Sequence, residues 1–331
     1  YITMKKEEID IDKIFNTTKQ ITSSSLKLYK QKLSILNNRK PIYNFNFLKT
    51  PDVIKEKIKD LKPTTQRTYY ISIVSLLKCL SEQNPSKTLY KTLYANYYVN
   101  LTQLNNDLKT TNGKSDTEEK NWITQSQVEE RQKELESILP ELSKKKKLSN
   151  VQYDKLLDLI LLSLYTLQKP RRNLDYLNMV VKKKLNDEGI EQLQKEKLNA
   201  IDLANKRFVF TNFKTAGTYK VQIIPISEDL MKLITTYLKY HPLRIMFDNY
   251  QLLVDNEGHS FKSSTMMTKK LNNIFGGKNI SSSMLRKIYL TDKYSDMKES
   301  LEEDAKEMGT SFNTINNHYI KDEDTVVCAG E

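Results

Sequence analysis

Along the first hundred residues, apolar positions recur every three or four places. Leu26, Tyr29, Leu33 and Leu36 follow Ser23-Ser24-Ser25, and Tyr69, Ile73, Leu76 and Leu77 follow Thr64-Thr65. Each set is one face of a helix entered through hydroxyl side chains that can cap its first turn. Pro51-Asp52 ahead of Val53 to Ile58 puts a proline and an acid where a helix start accepts them. The pattern predicts a small helical domain over residues 1–108. Periodicity lapses in Lys109-Thr110-Thr111-Asn112-Gly113-Lys114-Ser115-Asp116, so 109–119 is expected to be a linker. In the second region, 120–331, Trp122 to Gln127 opens a helix to about Ile138, and Leu156 to Leu162 is strongly apolar. The only β-rich runs are Arg207-Phe208-Val209-Phe210 and Tyr219 to Ile226, flanking Lys214-Thr215-Ala216-Gly217-Thr218, whose glycine suits a hairpin loop. Helices resume at Ser227. The expected fold is mainly α with a small β-hairpin or sheet, in two domains.

Composition narrows the partner. Across 331 residues, Lys+Arg 53 against Asp+Glu 41 leaves a net charge of +12, which favours a polyanion such as nucleic acid. No apolar run is long enough to span a bilayer, and the first residues lack a signal-peptide core, so an intracellular protein without membrane partners is expected. Two cysteines and three histidines give neither a disulfide framework nor a metal-ligand spacing; metal-independent chemistry is expected. Lysine is the default cation, which makes the pair Arg171-Arg172 conspicuous, because a guanidinium fork matches phosphate oxygens better than an ammonium does.

Four features bear on chemistry. Arg172 precedes Asp175 by three positions at the start of a helical pattern; it is read as gripping a phosphate oxygen with Asp175 buttressing it, and Arg171 is the second choice. Taken alone, the same pair reads better as a surface ion pair. Lys214 sits where a β-turn could deliver it to a DNA backbone. Arg286, in Ser281-Ser282-Ser283-Met284-Leu285-Arg286, lies on an apolar helical face and needs either an internal partner or a phosphate. Tyr319 ends Met308-Gly309-Thr310-Ser311-Phe312-Asn313-Thr314-Ile315-Asn316-Asn317-His318-Tyr319 and is one of 19 tyrosines.

The order and spacing of these features resemble the catalytic domain of the tyrosine recombinases and integrases. Arg172-Asn173-Leu174-Asp175 resembles the family's Arg-x-x-Glu, Lys214 before Ile224-Pro225-Ile226 resembles its hairpin lysine, and Ser283-Met284-Leu285-Arg286 resembles His-x-x-Arg. Met308-Gly309-Thr310 to Tyr319 resembles the glycine-containing helix start that leads to the nucleophile. The likeness covers roughly 120–325, and the N-terminal helices resemble a core-binding domain that clamps DNA. It implies a site-specific recombinase in which Tyr319 forms a 3′-phosphotyrosyl link, Arg172 and Arg286 offset phosphate charge, and Lys214 protonates the leaving hydroxyl. The implied assembly is a homotetramer on paired double-stranded DNA sites, without a cofactor. Ser283 and Thr310 stand where the family has histidine, each keeping a hydroxyl that can donate to phosphate, so slower chemistry is expected. Three alternatives stay open: a nicking-closing enzyme like the type IB topoisomerases, a DNA-binding protein of this fold with weakened catalysis, and an unrelated RNA-binding helical protein. Abundant lysine, asparagine and isoleucine suggest an AT-rich genome, as of a mobile element or virus.

Overall fold

A computed structural model describes residues 7–16, 21–109, 113–310 and 312. The chain divides into two compact units, Tyr1–Gly113 and Lys114–Glu331.

The first unit is helical: α1 (Ile11–Asn16), α2 (Ser23–Leu36), α3 (Pro51–Ile58), α4 (Pro63–Gln83) and α5 (Thr88–Lys109). The caps differ in detail from the sequence expectation. Thr22 is the N-cap of α2 and its hydroxyl accepts from the Ser25 amide at 3.3 Å. Helix α4 starts earlier than Thr64-Thr65, at Pro63, because a proline at the first position has its φ preset and lacks only an amide that would be unpaired anyway. Helix α4 buries Tyr69, Tyr70, Ile73, Leu76 and Leu77 together with Phe15, Leu33, Leu48, Ile54 and Tyr97. The buried Tyr97 hydroxyl donates to the Leu48 carbonyl at 2.9 Å, so this core holds no stranded phenol.

In the second unit α6 (Asp116–Asn121) lies partly within the stretch expected to be linker. It forms because Ser115 and Glu118 make a reciprocal capping box. Helices α7 (Gln125–Glu136), α8 (Leu139–Ser143) and α9 (Asn150–Thr166) follow. Nearly every side chain of α9 from Leu156 to Tyr165 is buried, and this helix is the axis of the core. After it come α10 (Asn173–Leu177), β1 (Val180–Lys182), α11 (Asp187–Glu196), β2 (Ala200–Asp202), β3 (Arg207–Phe210), α12 (Ala216–Tyr219) and β4 (Gln222–Pro225). Then follow α13 (Glu228–Tyr240), β5 (Tyr250–Gln251), α14 (Ser264–Ile274) and α15 (Ser282–Glu307).

The five strands are ordered β4-β3-β2-β1-β5, with β1 and β2 parallel across α11 and the other pairs antiparallel. Strand alternation splits the apolar residues between two faces. Val181, Ile201, Phe208 and Phe210 join the main core, whereas Val180, Ala200 and Val209 pack with Leu185, Ile190 and Leu193 at α11. Strands β1 and β5 are too short to show alternation, which is why the sequence did not announce them. The expected hairpin also changes form. Strands β3 and β4 pair from Arg207↔Pro225 to Phe210↔Gln222, but the connection contains a helical turn, α12, in place of a tight β-turn, and Tyr219 belongs to that turn. No helix among the described residues is long and apolar enough to cross a membrane.

Candidate phosphate-binding site

Helix α10 is short, and its position is fixed from outside. Tyr165 Oη on α9 donates to Asn173 Oδ1 at 2.6 Å, while Asn173 Nδ2 donates to the Ser264 carbonyl at 3.1 Å and to Thr268 Oγ1 at 3.0 Å. Tyr176 packs edge-on against Tyr165, Phe208 and Phe210, and its hydroxyl donates to the Leu164 carbonyl at 3.2 Å. These contacts set Arg171, Arg172 and Asp175 at the wall of a cavity of about 450 Å³, which Lys169, Phe213, Thr215, Tyr219, Gln222 and Arg286 also line.

The expected partner of Asp175 is corrected by the structure. Asp175, 2% exposed, accepts from Arg171 Nε on Oδ2 at 2.8 Å. Arg172 instead occupies the N-cap of α10 in extended conformation, and its carbonyl accepts from the Asp175 amide at 2.9 Å. The same-face rule for residues three apart holds inside a helix, and Arg172 is not inside one. Arg171 is held three ways, since Nη1 also donates to Gln222 Oε1 at 2.9 Å and the guanidinium lies 3.8 Å from the centre of the Phe210 ring.

Arg172 and Arg286 are half-buried, and among the described residues neither guanidinium has a hydrogen-bond or ion-pair partner. Burial and the like charges of Arg172 and Arg171 push the Arg286 pKa down, against the pull of Asp175. Burial pushes Asp175 up, and Arg171 and Arg172 oppose that shift. Its Oδ1 is buried and has no partner among the described residues. Three guanidinium groups thus face one carboxylate, with Lys169 at the rim. That surplus is self-repelling when the cavity is empty and suits an anion with two or three accessible oxygens.

The other expected site residues fall elsewhere. Lys214 is exposed in the β3–β4 connection and does not line the cavity, although its neighbour Thr215 does. Ser283 is exposed on the first turn of α15, away from the cavity wall. Gly309 does not open a helix but closes α15. With φ of +64° it donates to the Lys306 carbonyl at 3.2 Å, while the Thr310 amide donates to the Ala305 carbonyl at 2.8 Å, the bond pair of a Schellman cap. Thr310 is half-buried at that cap. Tyr319 lies outside the described residues. Sequence reasoning ranked Arg171 second and missed Phe210, Gln222 and Tyr219; nothing in the linear pattern brings the end of β3 and the start of β4 to the foot of α10. Among the described residues no cluster of histidine, cysteine and carboxylates could hold a metal ion.

No family model matches the chain, and no curated protein matches it. Among solved structures it is similar to one described as "Crystal structure of XerA recombinase", at 16% identity over 95% of each chain and with a TM-score of 0.28. So loose a superposition carries no argument, and the functional case is made by the side chains of the cavity.

Proposed function

We propose that this chain cleaves and rejoins DNA through a covalent tyrosyl intermediate, as a site-specific recombinase does. The carrying observation is the cluster of Arg171, Arg172 and Arg286 around a single buried carboxylate. A phosphodiester carries one negative charge, and its pentacoordinate transition state carries about two, so groups that already offset two charges stabilise the transition state more than the ground state. Arg172 and Arg286, without a hydrogen-bond or ion-pair partner among the described residues, take the non-bridging oxygens; Arg171 fixes the wall beneath them. Tyr319 Oη gives up its proton to solvent and bonds to phosphorus as the bond to the 5′-oxygen breaks, and that oxygen takes a proton from Lys214 and leaves as the 5′-hydroxyl. The 3′-phosphotyrosyl link retains the bond energy for rejoining. Four copies on paired double-stranded sites complete the exchange.

A second reading has one specific observation in its favour. Ser283 and Thr310 do not line the cavity, so neither stands in there for a histidine of the resembled family; a DNA-binding protein with little or no chemistry follows from that. Duplexes selected by the chain from a random pool, nicked so that cleavage releases a short 5′ fragment, separate the two. The enzyme reading expects a covalent protein–DNA adduct that Tyr319→Phe abolishes; binding without adduct on every selected duplex supports the second reading. Supercoil relaxation by a monomer, without strand exchange, identifies a topoisomerase.

A further inference from the structure

A phosphate fills only part of the arginine cavity. Its five heavy atoms, at roughly the 30 Å³ of a water molecule each, take about 150 Å³ of a volume of about 450 Å³. The remainder is walled from the β3–β4 connection and from β4, by Phe213, Thr215, Tyr219, Gln222 and Ile224.

Packing does not explain why Tyr219 stands there. Helix α12 buries none of its residues, and Tyr219 is 62% exposed. Among the described residues its hydroxyl makes no hydrogen bond and its ring meets no other ring or cation. The next residue, Lys220, holds φ of +57° with ψ of −151°, a conformation that costs any residue with a Cβ. Strain beside an exposed ring at a cavity wall is the pattern of a ligand contact.

The polar groups at this end of the cavity are oriented. Arg171 Nη1 donates to Gln222 Oε1 at 2.9 Å. A guanidinium has donors only, so the amide is fixed with its Nε2, which has no partner among the described residues, left to donate. The Thr215 hydroxyl makes no capping bond. Arg171 also lies 5.2 Å from the centre of the Phe213 ring, which joins the cationic end of the cavity to its aromatic end.

An anion seat, an open ring face and an amide donor in one cavity form the complement of a nucleotide. We infer that the cavity holds one unpaired nucleotide of the DNA, with its phosphate on Arg172 and Arg286, its base stacked on Tyr219 and a base carbonyl accepting from Gln222 Nε2. A base within a duplex is stacked on both faces and bonded along its edge, so Tyr219 cannot reach it without unpairing it. An unpaired or mismatched base needs no such step, and DNA carrying one beside the phosphate is the preferred substrate. The inference rests on reading the arginines as a phosphate seat; it requires neither Tyr319 nor cleavage.

Titration calorimetry at low salt tests it by comparing thymidine 5′-monophosphate with 2-deoxyribose 5-phosphate, which keeps the sugar and phosphate and lacks the base. The nucleotide should bind about tenfold more tightly, the usual worth of one base stacked on an aromatic ring. Tyr219→Ala should erase that difference and Tyr219→Phe should keep it, with the thermal melt of both variants unchanged because the side chain is exposed. Arg172→Ala should weaken both ligands alike. Equal affinities in the unmodified chain, a difference that survives Tyr219→Ala, or one lost as fully in Tyr219→Phe overturns the base subsite. A duplex with one unpaired thymidine should displace the bound nucleotide about tenfold better than the same duplex fully paired; equal displacement overturns the preference for unpaired DNA. If neither phosphate binds, the phosphate seat fails and the subsite with it. Base discrimination in a chain that forms no covalent adduct upholds the subsite and sinks only the cleavage reading; adduct without base discrimination does the reverse.

Discussion

Replacing Arg171 with methionine keeps much of the side-chain volume against Phe210 but removes the cation from Asp175. Asp175 is 2% exposed, and its other oxygen already lacks a partner among the described residues. Breaking a buried pair by removing one member costs about 3–5 kcal/mol, since the remaining charge stays desolvated. With a urea dependence of about 2.5 kcal/mol per molar, a loss of 4 kcal/mol lowers the midpoint by about 1.5 M. Trp122 is the sole tryptophan and packs against the core of the second unit, so its fluorescence follows that unit. The double variant Arg171→Met/Asp175→Asn, with no charge left to strand, should recover most of the loss. The pH dependence has a definite sign. A carboxyl whose folded pKa is raised gives full stability below its unfolded value and loses it as pH rises through the folded value. The deficit of Arg171→Met should therefore shrink on acidification. A midpoint drop under about 0.5 M, or a double variant no better than the single, refutes the view that this pair anchors the cavity wall.

Further outcomes follow from other residues. His241 is 1% exposed, its Nε2 faces the Leu252 carbonyl at 3.1 Å, and its Nδ1 accepts from the Leu243 amide at 3.1 Å, an arrangement that needs the neutral ring. Burial lowers its pKa to about 4. The unfolded chain thus binds a proton below about pH 6.5 that the folded chain refuses, and stability should fall by up to about 3 kcal/mol between pH 6.5 and 4. Comparing urea midpoints across that window with those of His241→Gln checks this; an identical acid slope in the variant contradicts it. Lys214→Ala should slow DNA cleavage about 10²-fold or more, and a 5′-thio leaving group, which needs little protonation, should restore the rate. Rescue of Lys169→Ala instead would assign the proton to the lysine that lines the cavity. Gly309→Ala should lower stability by about 1 kcal/mol, measured by thermal melting, because position 309 holds φ of +64° with open space around it; no change would mean that α15 ends without this cap.

Much of the helical framework was legible because amphipathic periods are local: α2 and α4 follow from apolar spacing and hydroxyl residues at their starts, and α7 was placed from Trp122 to about Ile138. The Arg171 to Asp175 segment and Arg286 were legible as candidates for the same reason, a guanidinium in an apolar context being conspicuous. What was hidden is contact between distant segments. The pairing of Asp175 with Arg171 depends on Phe210 and Gln222, which reach α10 only through the β3–β4 ladder. The cap at Gly309 was misjudged because glycine before a polar stretch looks alike at either end of a helix, and only the bonds from Gly309 and Thr310 back into α15 decide.

The central claim is that Arg172 and Arg286 offset the charge of the scissile phosphate. A duplex with a methylphosphonate at the cleavage position lacks one of the two non-bridging oxygens and the negative charge, and tests the claim most directly. On ordinary DNA, Arg172→Ala and Arg286→Ala should form adduct about 10²–10³-fold more slowly than the unmodified chain. On the methylphosphonate the same variants should recover most of that rate. Variants that stay equally slow on both substrates would show that these arginines do not face the phosphate charge, and the account would fail at its centre.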